Sequence, residues 1–293
     1  MRVWLEHGPD AMSFEIQDLK QWIGRSETRI EQLGPCPATA LAATLNRSDG
    51  VFEAGMSLPP LWHWLHFLPA SRLDETGTDG HPARGGFLPP VPLPRRMWAG
   101  SRLEFMKPLH IGETCRRIST VTKVERKAGT SGDLIFVTVR HEVIGETGSA
   151  ISEEQDIVYR AAAMPGAATP PPVQAPADAA WSYAIVPDPV LLFRYSALTF
   201  NSHRIHYDLD YATREEGYPG LVVQGPLVAT LLLDGLSRAM PKVRITRFAF
   251  RAMAPTFHID PFAVHGAITG PGNARLWAEK QGTLTMNGSA DFI

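Results

Sequence analysis

Between residues 101 and 161 apolar and polar positions alternate with a period of two. The segments "SRLEFMKPL", "CRRISTVTKVERK", "LIFVTVRHEVIG" and "SAISEEQDIVYRA" are rich in Val and Ile and are parted by the glycine-bearing turns "AGTSGD" and "GETGS". That pattern predicts consecutive antiparallel strands. Upstream the period is helical: "SFEIQDLKQWIG" runs from Ser13 as N-cap to Gly24 as stop, and "PATALAATLN" follows it. A Pro- and Gly-rich stretch ending in "GGFLPPVPLPRRMWAG" then leads into the strands. The last third repeats this grammar. "LVVQGPLVATLLLDGLSRAM" is apolar nearly all round, as expected of a helix buried on more than one side. Behind it come "VRITRFAFRAM", "PFAVHGAIT", "ARLWAEKQG" and "LTMNGSADFI", again strand-like.

The two copies of this order are separated by "AAAMPGAATPPPVQAPADAA", residues 161–180, which carries neither period and reads as a semi-extended linker. The expected organisation is therefore an N-terminal unit over 1–160, a linker over 161–180 and a C-terminal unit over 181–293. A buried helix followed by antiparallel strands, twice over, suggests a duplicated α+β fold.

Composition narrows the function classes. With 44% apolar and 20% charged residues among 293, the chain looks like an ordinary globular protein. A net charge of −2 offers no basic stripe for nucleic acid and no attraction to an anionic membrane. No run approaches the length of a membrane span, and a secretory signal is not expected from the residues at the N-terminus. Two distant cysteines, Cys36 and Cys115, make a disulfide scaffold or cysteine zinc site unlike this chain. A reducing cytoplasm is the expected compartment.

Candidate chemistry concentrates in "FNSHRIHYDLDYA", Phe200 to Ala212. His203 and His206 could begin a metal site, but zinc would need further ligands, with His258 and His265 candidates only where folding brings them near. Alternatively Asn201 and Asp208 are turn and cap residues and the histidines satisfy backbone groups. A third reading is proton transfer near neutral pH by a histidine, beside a side chain that holds water. "GYPGLVVQGPL" follows closely, and Gly225 opens the buried helix. Its free N–H would stabilise negative charge on a thioester oxygen. These are the parts needed to add water to an α,β-unsaturated acyl thioester.

The pair "ALTFNSHRIHYDLDYA" and "GYPGLVVQGPL" resembles the MaoC-like hydratases and dehydratases of hotdog fold. On that resemblance His206 falls on the catalytic histidine, and Asn201 on the position of the usual catalytic aspartate. His203 and Arg204 fall where the family has Asn and Pro, and Gly225 on the glycine that binds the thioester oxygen. The asparagine is a departure, because an amide is not a base. "TFNSHRIHYD", together with "WIGRSE", "LWHWLHFLP", "FLPPVPLPRRMWAG", "EEQDIVYR" and "FAFRAMAP", is similar to a two-hotdog subgroup. That subgroup includes mesaconyl-CoA and itaconyl-CoA hydratases and the mitochondrial type of 3-hydroxyacyl dehydratase.

The resemblance implies a double hotdog, each half a sheet wrapped round a long helix, with the halves joined into one sheet and the site kept only in the second. It implies a hydro-lyase for a short dicarboxylic acyl-CoA. His206, Asn201 and Gly225 would be catalytic, and His203, Arg204, Val223 and Gln224 would bind substrate. No metal or cofactor is expected, and a homodimer stays open. Arg95, Arg96, Arg194, Arg247 and Arg251 rival Arg204 for a distal carboxylate. The alternatives are a fatty-acyl dehydratase, a hotdog thioesterase and a non-catalytic acyl-CoA binding module. "LWHWLHFLP" is either an aromatic wall over the site or simply core.

Overall fold

The computed structural model describes residues 16–48, 50–129, 132–161 and 171–293. The first half contains α1 (Ile16–Lys20), β1 (Ser26–Gln32), α2 (Pro35–Thr44), β2 (Arg95–Phe105), β3 (Thr114–Gly129), β4 (Gly132–Gly145) and β5 (Gly148–Arg160). The second contains β6 (Trp181–Ile185), α3 (Pro189–Leu198), α4 (Gly225–Ala239), β7 (Ile245–Ala252), β8 (Phe262–Gly270), β9 (Asn273–Lys280) and β10 (Thr283–Phe292). The ten strands form one sheet in the order β1-β3-β4-β5-β2-β7-β10-β9-β8-β6. Counted outward from the centre, β2-β5-β4-β3-β1 mirrors β7-β10-β9-β8-β6. The duplication read from the chain is therefore a pair of equivalent five-stranded units.

The units meet at β2 and β7, which pair antiparallel from Gly100 opposite Arg251 to Glu104 opposite Arg247. One hydrophobic cluster crosses that seam, joining Leu41 of α2, Leu103 of β2, Leu192 of α3, Leu227 of α4 and Phe248 of β7. The double hotdog is thus the observed architecture. Its long helix is α4, in which every residue from Leu227 to Leu236 is buried. In the first half the ten-residue α2 and a 3₁₀ turn at Trp62–Leu65 bury their side chains in the same cluster instead.

The strand pattern reappears with two differences. β2 begins at Arg95, inside the stretch read as loop. The edge strands β1 and β6 escape the alternation rule because their faces are half-buried against exposed, not core against solvent. The N-cap expected at Ser13 lies outside the described residues, as do 162–170 of the linker. The rest of the linker lies along the second unit: Ala175 N–H donates to Gly282 O at 2.8 Å and Ala180 N–H to Gly266 O at 2.8 Å. Among the described residues no helix is long and apolar enough to cross a membrane.

A second cluster in the first half joins Val121, Ile135, Val137 and Tyr159 of the strands to Val91, with Phe87, Leu88 and Leu93 packed on it. The Pro-rich stretch is therefore a cover over the sheet. Arg84 pins it by donating to the carbonyls of Val91, Leu93 and Pro94.

Candidate active site

α3 is capped by Asp188, whose side chain accepts from Leu191 N–H, and ends where Phe200 takes φ +49°. A non-glycine residue in the left-handed region is uncommon, and such residues gather at functional sites. Asn201 N–H returns to Ser196 O at 2.8 Å. The Asn201 Oδ1 then accepts the N–H of His203 at 3.1 Å, a side-chain-closed turn. The chain enters a 3₁₀ turn, Arg204–His206, and Asp208 caps the next turn by accepting Tyr211 N–H at 3.0 Å. Segment 221–224 lies alongside: Val222 N–H donates to Ile205 O at 2.9 Å and Val223 N–H to Thr256 O at 2.8 Å.

This arrangement sets the state of His206. Its Nδ1 lies 2.7 Å from Val222 O. A carbonyl only accepts, so the ring proton is on Nδ1 and Nε2 carries a bare lone pair. His206 is 8% exposed, and burial pushes it down to about 4, opposed by the Val222 bond. At neutral pH it is a neutral base. It lines a cavity of about 1100 Å³ together with Asn201, His203, Val223 and Gly225. Gly225 is the first residue of α4 with Pro226 behind it, so its N–H lies outside the intrahelical ladder and aligned with the helix dipole. A Cβ at Gly225 would meet only Trp98 O, at 3.9 Å, so the glycine leaves room at the cavity wall.

Two expected binding residues are placed elsewhere. Arg204 is not among the cavity-lining residues: its guanidinium holds Asp208 Oδ2 at 3.0 and 2.7 Å and Thr78 O at 3.2 Å. Gln224 is 1% exposed, and its amide donates to Leu192 O and Ser196 Oγ, both at 2.9 Å. It ties α3 to the start of α4. Of the rival arginines, Arg95 and Arg96 line the cavity and Arg194, Arg247 and Arg251 do not. Arg95 is paired with Glu216 at 3.0 Å. Arg96 has no carboxylate partner among the described residues, and its charge acts on His81, His203 and Tyr159.

The first half contributes a loop that sequence reasoning passed over, "TGTDGHPARGG". Arg204 N–H donates to Asp79 O at 2.9 Å, and Ser202 Oγ donates to Gly80 O at 2.5 Å. Gly80 has φ +85°, and a Cβ there would sit 1.9 Å from Ser202 O, so only glycine permits this approach. The loop carries Asp79 and His81 into the cavity wall. His81 Nδ1 is 3.1 Å from Asp79 Oδ2, and its ring lies tilted at 39° against His203 with centroids 3.9 Å apart. His203 in turn meets His206 edge-on at 5.4 Å.

Burial, then the fields of His81 and His206, pushes His203 down to about 2, and burial lowers His81 despite Asp79 beside it. Burial acts to raise Asp79, but the bonds and charge of His81 hold it below the usual carboxylate range. Asp79, His81 and His203 each offer a ligand atom within 4.8 Å of the others. His258 and His265 do not join them: His258 Nδ1 accepts Leu221 N–H at 2.9 Å, and His265 stacks on Trp277 at 5.3 Å. The only sequence signal for the loop was an Asp-Gly-His run between glycines, without an apolar period to place it.

"LWHWLHFLP" is core except for its last residue, Pro69, which is exposed and lines the cavity. Trp62, His63 and Leu65 are buried, and residues 61–68 do not line the cavity. Behind the cavity, Glu153 accepts from His63 Nε2 at 3.3 Å, Trp64 Nε1 at 3.0 Å and Ser101 Oγ at 2.8 Å. Trp64 contacts the cavity residue Trp98 edge-on at 4.8 Å.

Comparison with known proteins adds to this geometry. The sequence model described as hydroxyacyl-thioester dehydratase type 2 matches residues 61–258. The chain is 48% identical over 265 residues to the mesaconyl-C(4)-CoA hydratase of Chloroflexus aurantiacus, covering 90% of this chain and 93% of that protein. It is 30% identical over 278 residues to the mitochondrial hydroxyacyl-thioester dehydratase type 2 of Schizosaccharomyces pombe, covering 85% and 91%. Among solved structures it superposes on a MaoC-like dehydratase from Phytophthora capsici with a TM-score of 0.68 at 15% identity, covering 96% and 99%.

Proposed function

The chain belongs to the hydroxyacyl-thioester dehydratase type 2 family and is a hydro-lyase, and from that premise we propose that it reversibly hydrates a short α,β-unsaturated acyl-CoA bearing a second, free carboxylate, of the mesaconyl type. The observation that carries the chemistry is the bare Nε2 of His206 in a cavity shared with the first N–H of α4.

Gly225 N–H bonds the thioester oxygen and draws charge from Cβ. His206 Nε2 accepts a proton from water as its oxygen bonds Cβ. The C=C pair moves toward the thioester, where Gly225 N–H holds the developing oxyanion. The imidazolium, held through Nδ1–H by Val222 O, then returns the proton to Cα. A histidine whose buried charge is costly gives that proton up readily. His203 and Val223 line the cavity beside this centre. Arg96, a cavity arginine with no acid partner among the described residues, supplies the cation for the free carboxylate.

Loss of enoyl-thioester absorbance, measured on mesaconyl-CoA, itaconyl-CoA and crotonyl-CoA, tests this reading. Turnover is expected to be fastest on a dicarboxylic ester. Faster turnover of crotonyl-CoA would move the assignment to a fatty-acyl dehydratase, and release of free CoA would move it to a thioesterase.

A further inference from the structure

A water that attacks Cβ has to present a lone pair to carbon, and two acceptors on its two hydrogens leave that pair free. His206 Nε2 is one acceptor. Asn201 Oδ1 already spends one lone pair on His203 N–H, and its other end only donates, which leaves this amide a weak second acceptor. His141 also lines the cavity, but its nitrogens are engaged by Ser119 Oγ at 2.8 Å and Gln155 Oε1 at 2.9 Å.

His81 is differently placed. Asp79 holds it at two points, Oδ1 accepting the backbone N–H at 2.9 Å and Oδ2 facing Nδ1 at 3.1 Å. A carboxylate opposite Nδ1 keeps the ring proton there and leaves Nε2 as an acceptor, the same tautomer that Val222 O imposes on His206. The ring lies against His203, and His203 against His206, all on one cavity. The contacts of Asp79 O with Arg204 N–H and of Gly80 O with Ser202 Oγ lock this loop onto the segment that bears His206.

We propose that His81, oriented by Asp79 of the first half, is a second catalytic residue: its Nε2 holds the attacking water by one hydrogen while His206 Nε2 takes the other. It adds an imidazole acceptor where the resemblance expects a carboxylate and the chain has the amide of Asn201, and it makes both halves necessary to one site. In the hydration direction the O–H bond toward His206 breaks as O–Cβ forms. The C=C electron pair moves to the thioester enolate, and the proton returns from His206 to form Cα–H. His81 keeps its hydrogen bond to what is now the product hydroxyl. One water is consumed, and no oxidant or reductant is needed.

The proposal rests on the hydration reading, so the test compares full-length wild type, H206A, H81A, H81Q and D79N on mesaconyl-CoA, with thermal melts of each. H81A is expected to lower kcat by about 10²-fold, at the small end for a proton-handling group, with KM within about threefold. H81Q, which keeps an acceptor oxygen, is expected to retain more activity than H81A. D79N is expected to lose about tenfold or more while melting near wild type. Added imidazole is expected to restore part of the activity of H81A.

A kcat for H81A within threefold of wild type, with H206A inactive, overturns this proposal and leaves the hydration reading standing. Equal losses in H81A and H81Q without imidazole rescue reduce His81 to a structural residue. Loss of wild-type activity on chelation, restored by zinc alone, would reassign Asp79, His81 and His203 to a metal. A wild type that hydrates no enoyl-CoA takes both readings down.

Discussion

Replacing His206 by alanine has two consequences of different sign. On the proposed mechanism the variant keeps Gly225 and the cavity but lacks the group that takes the water proton. General acid–base catalysis contributes about 10²–10⁴-fold, or about 3–5 kcal/mol of barrier, so kcat is expected to fall by that factor. Stability moves the other way in acid. The folded protein holds His206 near 4 where the unfolded chain has about 6.5, so below 6.5 the unfolded state binds a proton that the folded state refuses. Wild type therefore loses stability as pH falls from about 6.5 toward 4, by about 2 kcal/mol at pH 5 from this one residue. H206A escapes that loss. At pH 7 it is the less stable protein, because Val222 O loses its partner and a cavity is left, at a cost of about 1–3 kcal/mol. The gap between the two proteins should narrow or reverse at pH 5. The assay is enoyl-thioester turnover at pH 7 together with thermal melts at pH 7 and pH 5. Turnover of H206A within tenfold of wild type, or a stability gap that widens in acid, refutes the reasoning.

Other outcomes follow from the same geometry. R96A should raise KM for mesaconyl-CoA by tenfold or more and leave crotonyl-CoA within about threefold, because only the former places a carboxylate against the guanidinium; equal effects on both esters would assign Arg96 to the CoA moiety. G80A should cost both activity and melting temperature, since its Cβ would enter the space of Ser202 O; a variant with normal kcat would show that the loop does not position the site. E153Q should destabilise the fold by about 3 kcal/mol, read from chemical denaturation, because a buried carboxylate with three donors is replaced by a group that cannot accept them all. Burial acts to raise Glu153, but His63 and Trp64 hold it down at about 2, so its contribution is full above about 4.5 and declines as pH falls toward 2.

Local pattern decided much of this protein. Alternation marked the inner strands because each has one face on the core, and the all-apolar run marked α4 because it is enclosed. That His206, Asn201 and Gly225 share one cavity was legible because they lie within 25 residues, on two short segments that are neighbours in the fold. Arg204 and Gln224, offered as binding residues, turn instead to Asp208 and Ser196: side-chain direction within a turn follows the nearest partner, and no spacing rule reports it.

Only the tertiary structure brings Asp79, His81 and Arg96 onto the cavity that His206 lines. They come from a polar loop and the start of a strand more than 100 residues upstream. A period tells which face of an element is buried, because burial is a property of that element alone. Which distant loop shares a cavity is set by strand order across the β2–β7 seam, and that order depends on pairing energies summed over the whole sheet.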